Sequence, residues 1–147
     1  MNELNNDILK HIRNADLHAA YELLKDLSEE QQRDIIVGEA AISDSIAVLG
    51  FAEYMISCEN NIQNHETAAL AYIQMCHING AYEMALFHAR EMHRLSPDTD
   101  TKKFLLFFHG IPEKLLIHEE AVKLAQEILL VDPDYAPAKE ILHNSRT

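Results

Sequence analysis

The chain has 147 residues, 48% of them apolar, with four glycines, four prolines and two cysteines, enough for one domain with a real core and too few cysteines for a disulfide framework. Its 24 acidic and 12 basic residues leave a formal charge of −12, which disfavours direct nucleic-acid binding because phosphate contacts need clustered Lys and Arg. No apolar run reaches the roughly 18 residues of a membrane span, and Met1-Asn2-Glu3-Leu4-Asn5-Asn6-Asp7 lacks signal-peptide architecture, so a reducing cytoplasm is the expected compartment.

In chain order, Asn5-Asn6-Asp7 predicts a helix cap ahead of Ile8, Leu9 and Ile12. Asn14-Ala15-Asp16 reads as a turn into a second helix from about Asp16 to Leu27, with Ala20, Leu23, Leu24 and Leu27 on one stripe. Ser28-Glu29-Glu30-Gln31 has the order of a capping box, in which the serine and glutamine side chains each satisfy an unpaired backbone amide. The third helix it opens runs to about Ile42. Ser43-Asp44-Ser45 starts a fourth, Ile46 to about Cys58, whose apolar positions cover most of its circumference and mark it as central. Gly38 and Gly50 fall inside these helices, where each costs about 1 kcal/mol relative to alanine; close helix packing is the expected compensation. Glu59-Asn60-Asn61-Ile62-Gln63-Asn64 is a polar break.

The stretch from Ala68 to Pro97 follows. It reads as two helices broken at Asn79-Gly80, with Gly80 free to adopt the left-handed conformation that ends a helix. Ala85, Ala89 and Met92 lie on one stripe, where small side chains admit a close neighbour. Ser96-Pro97 stops the run. Gly80, Tyr82, Ala85 and Pro97 resemble the glycine, aromatic, alanine and proline of a tetratricopeptide (TPR) repeat, and Ala121 and Pro133 repeat the alanine-to-proline interval. The resemblance covers residues 63–140; the prolines are 36 residues apart, whereas the family period is about 34, and the family's Trp and Gly are missing from each first helix. Beyond Pro97, Asp98-Thr99-Asp100 caps the apolar cluster Phe104–Phe108, Gly110-Ile111-Pro112 leads into a helix from Glu113 to about Val131, and Asp132-Pro133-Asp134 turns into a last helix from Tyr135 to about His143. Nine helices and no sheet are expected: an all-α, single domain over 1–147, for which the resemblance implies a right-handed stack of antiparallel hairpins.

Catalytic chemistry finds little support. Nine histidines, at 11, 18, 65, 77, 88, 93, 109, 118 and 143, include no His-x-x-x-His pair, and His118-Glu119-Glu120 lacks the second histidine of a zinc motif. His88 and His93 are about 140° apart around a helix. Cys76-His77 points its side chains about 100° apart, so a buried structural cysteine is the simpler reading. Glu119-Glu120 reads as helix-start acid, and the scattered glycines form no phosphate loop. No enzyme, cofactor or metal is expected.

Binding remains. Between Arg33 and Arg90 there is no Lys or Arg, while Asp34, Glu39, Asp44, Glu53, Glu59, Glu66 and Glu83 lie there. Such a belt is either a solvated acidic surface or a face for a basic partner. In size, charge and fold type the chain is similar to small acidic immunity proteins (antitoxins) of bacterial ribonuclease toxins, including those paired with LXG-type toxins. That similarity implies an inhibitor covering the positive groove of a basic partner, possibly a nuclease toxin domain, and Glu39, Asp44, Glu53 and Glu59 are the candidate contacts. The alternative is a TPR-like adaptor or chaperone holding a peptide in its concave groove. The variant that clamps a peptide carboxyl terminus would need groove Lys and Arg, which the central repeats lack.

Overall fold

The computed structural model describes residues 2–145 and is built from nine helices with no strand among them. They are α1 (Glu3–Arg13), α2 (Leu17–Leu24), α3 (Glu29–Ile42), α4 (Ala47–Cys58), α5 (Ile62–Gln74), α6 (Ala81–Leu95), α7 (Thr99–Gly110), α8 (His118–Val131) and α9 (Ala136–Ser145). The all-α expectation and the helix count both hold. Side-chain caps set several of the starts. Asn2, Ser28, Asn61 and Asp98 each accept a hydrogen bond from the backbone N–H three residues on, satisfying a donor that the helix cannot. At Ser28 the Gln31 side chain accepts from the Ser28 amide in return, completing the capping box.

Several expected boundaries move: α5 takes in Ile62-Gln63-Asn64 of the expected polar break and ends at Gln74, ahead of Asn79-Gly80, and three others move for a local reason. The cap of α1 is Asn2, so Asn5-Asn6-Asp7 is already helical. α2 ends at Leu24, and Leu27 sits in a turn closed by its amide on the Leu24 carbonyl at 3.0 Å. The helix expected from Glu113 begins at His118. Lys114 has a φ of 51°, the Leu116 amide donates to the Phe108 carbonyl at 3.2 Å, and Ile111 and Leu116 are buried. Burying those two side chains holds the segment in a non-helical path that Pro112 alone would not impose.

Two compact units result, one ending at His88 and the other beginning at Ala89. In the first, α4 packs against α1, α2, α3 and α5 and buries Val48, Leu49, Phe51, Ala52 and Met55, which makes it the central helix expected from its apolar circumference. α1 and α2 form a hairpin turned at Ala15, and Ile8, Ile12, Ala20 and Leu24 are removed from solvent. Gly80 has a φ of 87° in the turn before α6, where a side chain would be strained. Ala85, on the expected small-residue stripe, is fully buried. In the second unit α8 packs against α7 and α9, around Leu105, Phe108, Ala121, Ala125, Ile128 and Ala138. α6 and α8 each end two residues before a proline, so both alanine-to-proline intervals run from a buried contact to just past a helix end.

Gly38 and Gly50 depart from expectation. A Cβ built on either would meet nothing within 4 Å, so no close helix approach explains them. Replacing either by alanine is expected to raise stability in urea unfolding by up to about 1 kcal/mol, the helix-propensity difference. Ala85→Phe is expected to lower it by about 1–3 kcal/mol through overpacking. An unchanged midpoint for Ala85→Phe would mean that the site tolerates a large side chain.

Candidate functional site

α4 carries one charged side chain, Glu53, among eleven neutral residues. Its carboxylate has a defined reception. Oε1 accepts from His88 Nε2 at 2.6 Å and from the Tyr72 hydroxyl at 3.0 Å. His88 is 1% exposed and meets His65 through their Nδ1 atoms at 2.9 Å, and His65 Nε2 is 2.8 Å from Asn60 Oδ1. The Tyr72 ring stacks on His88 at 5.8 Å and Phe87 meets it edge-on at 5.1 Å. A polar chain of five side chains therefore runs through the first unit: Asn60, His65, His88, Glu53, Tyr72.

An ionised Glu53 only accepts hydrogen bonds, so His88 Nε2 and the Tyr72 hydroxyl both donate to it, and one of the two Nδ1 atoms carries the hydrogen between the rings. Burial alone pushes the Glu53 carboxyl up; the hydrogen bond and charge of His88, then the Tyr72 hydroxyl and the charge of His65, outweigh it and hold the group below its ordinary value of 4.5. Burial and the Glu53 charge raise the Tyr72 phenol in turn. Both ring nitrogens of His88 are engaged by protein partners.

Glu53 and Tyr72 also line an open groove of about 450 Å³ whose other walls are mostly apolar, among them Ile46, Leu49, Ile78 and Met84, with Gly50, Asn79 and Gly80 beside them. A second cleft, of about 360 Å³, lies between α1 and α3 and includes Leu9, Ile35, Gly38 and Ile42 together with Asp34 and Glu39. Ile42 and Ile46, which bracket the α3–α4 loop, are 76% and 70% exposed.

The four candidate carboxylates occupy different environments. Glu39 is enclosed, its side chain 0% exposed, and both oxygens accept from Arg13, at 2.7 and 2.8 Å. It offers a partner no surface. Asp44 is 98% exposed on the α3–α4 loop, 3.5 Å from His77. Glu53 is part-buried at the groove. Glu59 is exposed at the end of α4, beside a polar cleft that includes Tyr21, Lys25 and Gln63. Both cysteines are exposed, Cys58 at the last position of α4 and Cys76 beyond the end of α5, where the buried structural cysteine expected from the sequence does not materialise. Among the described residues no three His, Cys, Asp or Glu side chains converge as a metal site would require.

Pattern reading missed the five-residue chain, although two signals were present. Glu53 is the lone charge in a helix otherwise apolar around its circumference. His88 falls on the Ala85–Met92 stripe, three residues from Ala85 and four from Met92. Neither signal names the partner, because the residues are 35 positions apart.

Comparison with known protein families, curated proteins and solved structures gives no significant match.

A carboxyl depressed by its folded environment stabilises fully above its unfolded value, and the contribution disappears as pH falls through the folded one. Glu53→Gln is therefore expected to lower the thermal midpoint at neutral pH, with the gap to the unsubstituted protein closing as pH drops below about 4.5. A gap of constant size from neutral to acid pH would show that Glu53 gains nothing from His88 as an anion.

Proposed function

We propose that this protein binds a basic protein partner and inhibits it, in the manner of an immunity protein covering the positive groove of a nuclease toxin domain. The reading is of a binding protein, not an enzyme, in a reducing cytoplasm. What carries it is the uneven neutralisation of charge. In the first unit Glu39 pairs with Arg13, Glu66 with Arg33 at 3.3 Å, and Glu53 with His88. Asp34, Asp44, Glu59 and Glu83 are exposed and meet no Lys or Arg among the described residues. In the second unit the cations are largely taken: Arg90 by Glu120, Arg94 by Glu91, Lys102 by Glu127, Lys103 by Asp132 and Lys139 by Asp134. The unmatched acid of 34–89 is thus a surface property and not only a composition. Such a field speeds encounter with a basic partner and repels anionic competitors.

The adaptor reading has an observation of its own. Exposed Ile42 and Ile46 border mostly apolar clefts, which suits a surface that takes up an amphipathic segment. The two buried alanines ahead of prolines fit TPR-like, right-handed stacking of hairpins, which would supply the array for either role.

The test begins with a partner captured by the purified protein at low salt and identified by mass spectrometry. Its affinity and inhibition are then measured for charge reversals at Asp34, Asp44, Glu59 and Glu83. Association is expected to slow by about tenfold for the combined reversal, an effect that shrinks above physiological salt, where the screening length falls below about 8 Å. Equal rates at every salt concentration would reduce the belt to a solvated surface. Capture of a partner with no catalytic activity to inhibit would favour the adaptor.

A further inference from the structure

We propose that the groove beside Glu53 is the anchor for one arginine or lysine side chain presented by an amphipathic helix of the basic partner. This rests on the inhibitor reading and specifies how the partner is held.

Three features of the groove point to such an occupant. Glu53 is fixed through one oxygen only: Oε1 accepts from both His88 and Tyr72, while Oε2 accepts no hydrogen bond from the described residues and the side chain is 39% exposed. An oriented carboxylate with one oxygen left over is a receptor for a charge-assisted hydrogen bond. Its surroundings are mostly apolar, with Leu49, Ile78 and Met84 able to pack on the methylenes of a long cationic side chain. The volume of about 450 Å³ lies within the range of about 300–1,000 Å³ typical of clefts that hold a ligand-sized group.

Gly50 is the second line of argument. It is the fourth residue of α4, where glycine weakens the helix, and a Cβ there would meet nothing within 4 Å. Packing inside the chain therefore does not require it. An occupant approaching the α4 backbone would. Charge supplies the third line, because no Lys or Arg lies between Arg33 and Arg90, and Asp44 stands almost fully exposed two residues before Ile46. The exposed isoleucines then meet the apolar face of the helix that carries the cation.

The probe is a stapled helical peptide with a single arginine flanked by leucines one turn away on either side. Binding is followed by the backbone amide resonances of the full chain. The peptide is expected to shift Gly50, Glu53 and Gly80, and replacing its arginine by citrulline, the neutral isostere, to weaken it by about tenfold or more. Gly50→Leu fills the groove while leaving all five residues of the polar chain unsubstituted, and is expected to abolish the shifts while the rest of the spectrum is retained. Glu53→Gln should weaken binding like the citrulline peptide. Equal binding of the arginine and citrulline peptides, or undiminished binding to Gly50→Leu, overturns the proposal. Butylguanidinium binding as tightly as the peptide also overturns it, since the site would then serve a free small cation. The two readings fail separately. Peptide binding with no inhibited partner leaves the anchor standing and removes the function, whereas a partner inhibited equally by the unsubstituted protein and Gly50→Leu removes the anchor alone.

Discussion

The arrangement of the first unit depends on one carboxylate placed in the most apolar of its helices. α4 buries five hydrophobic side chains and packs against four other helices, yet it carries Glu53. A part-buried anion in such surroundings is costly unless it is paired and hydrogen-bonded. His88 of α6 and Tyr72 of α5 supply both, and His65 lies on the Tyr72 face of α5, two turns earlier, where it can reach His88. The register of three helices is tied to a single charge. Sliding α5 or α6 by one residue would turn a ring away and leave a buried donor or acceptor without its partner. The chain as it stands leaves no buried side-chain polar atom unsatisfied among the described residues.

The same logic separates carboxylates that hold the fold from those open to a partner. Glu39 belongs with the first group: its two bonds to Arg13 tie the end of α1 to α3, and the fork of the guanidinium matches the carboxylate atom for atom. Glu120 does the same work in the second unit, where Arg90 donates to both of its oxygens at 2.7 and 3.1 Å and holds its carboxyl below the ordinary value. Asp44 and Glu59, by contrast, lie on a loop and a helix end. A count of charge along the sequence treats all four alike.

That contrast shows how far the sequence could be read. Helix number and class were legible because caps and apolar periodicity act locally. Ser28 with Gln31 specifies its own hydrogen bonds, and Asp98 opens its helix with a cap of its own. The buried stripe of α6 followed from alanine spacing. What was not legible needs knowledge of which distant residue arrives. Glu39 looks exposed until Arg13, 26 positions away, is seen to cover it. His65 and His88 look like scattered histidines until they meet. Residues 113–117 look helical by composition, and the burial of Ile111 and Leu116 explains why they are not.

The glycines take this one step further. A helix interior that keeps glycine without using the space is weaker than it needs to be, and α3 and α4 both do so, at Gly38 and Gly50. Each lines one of the two clefts. Alanine at either position would strengthen the helix but place a methyl group beside the open cleft. Ile42 and Ile46, at the rims of the same two clefts, keep apolar surface in water that a helix terminus could easily replace with a polar residue. On the proposed reading, a partner that comes to the surface accounts for both features at each cleft. The two clefts differ in how their carboxylates are held: beside α1 and α3, Arg13 occupies both oxygens of Glu39, whereas Glu53 in the α4 groove is held through one oxygen.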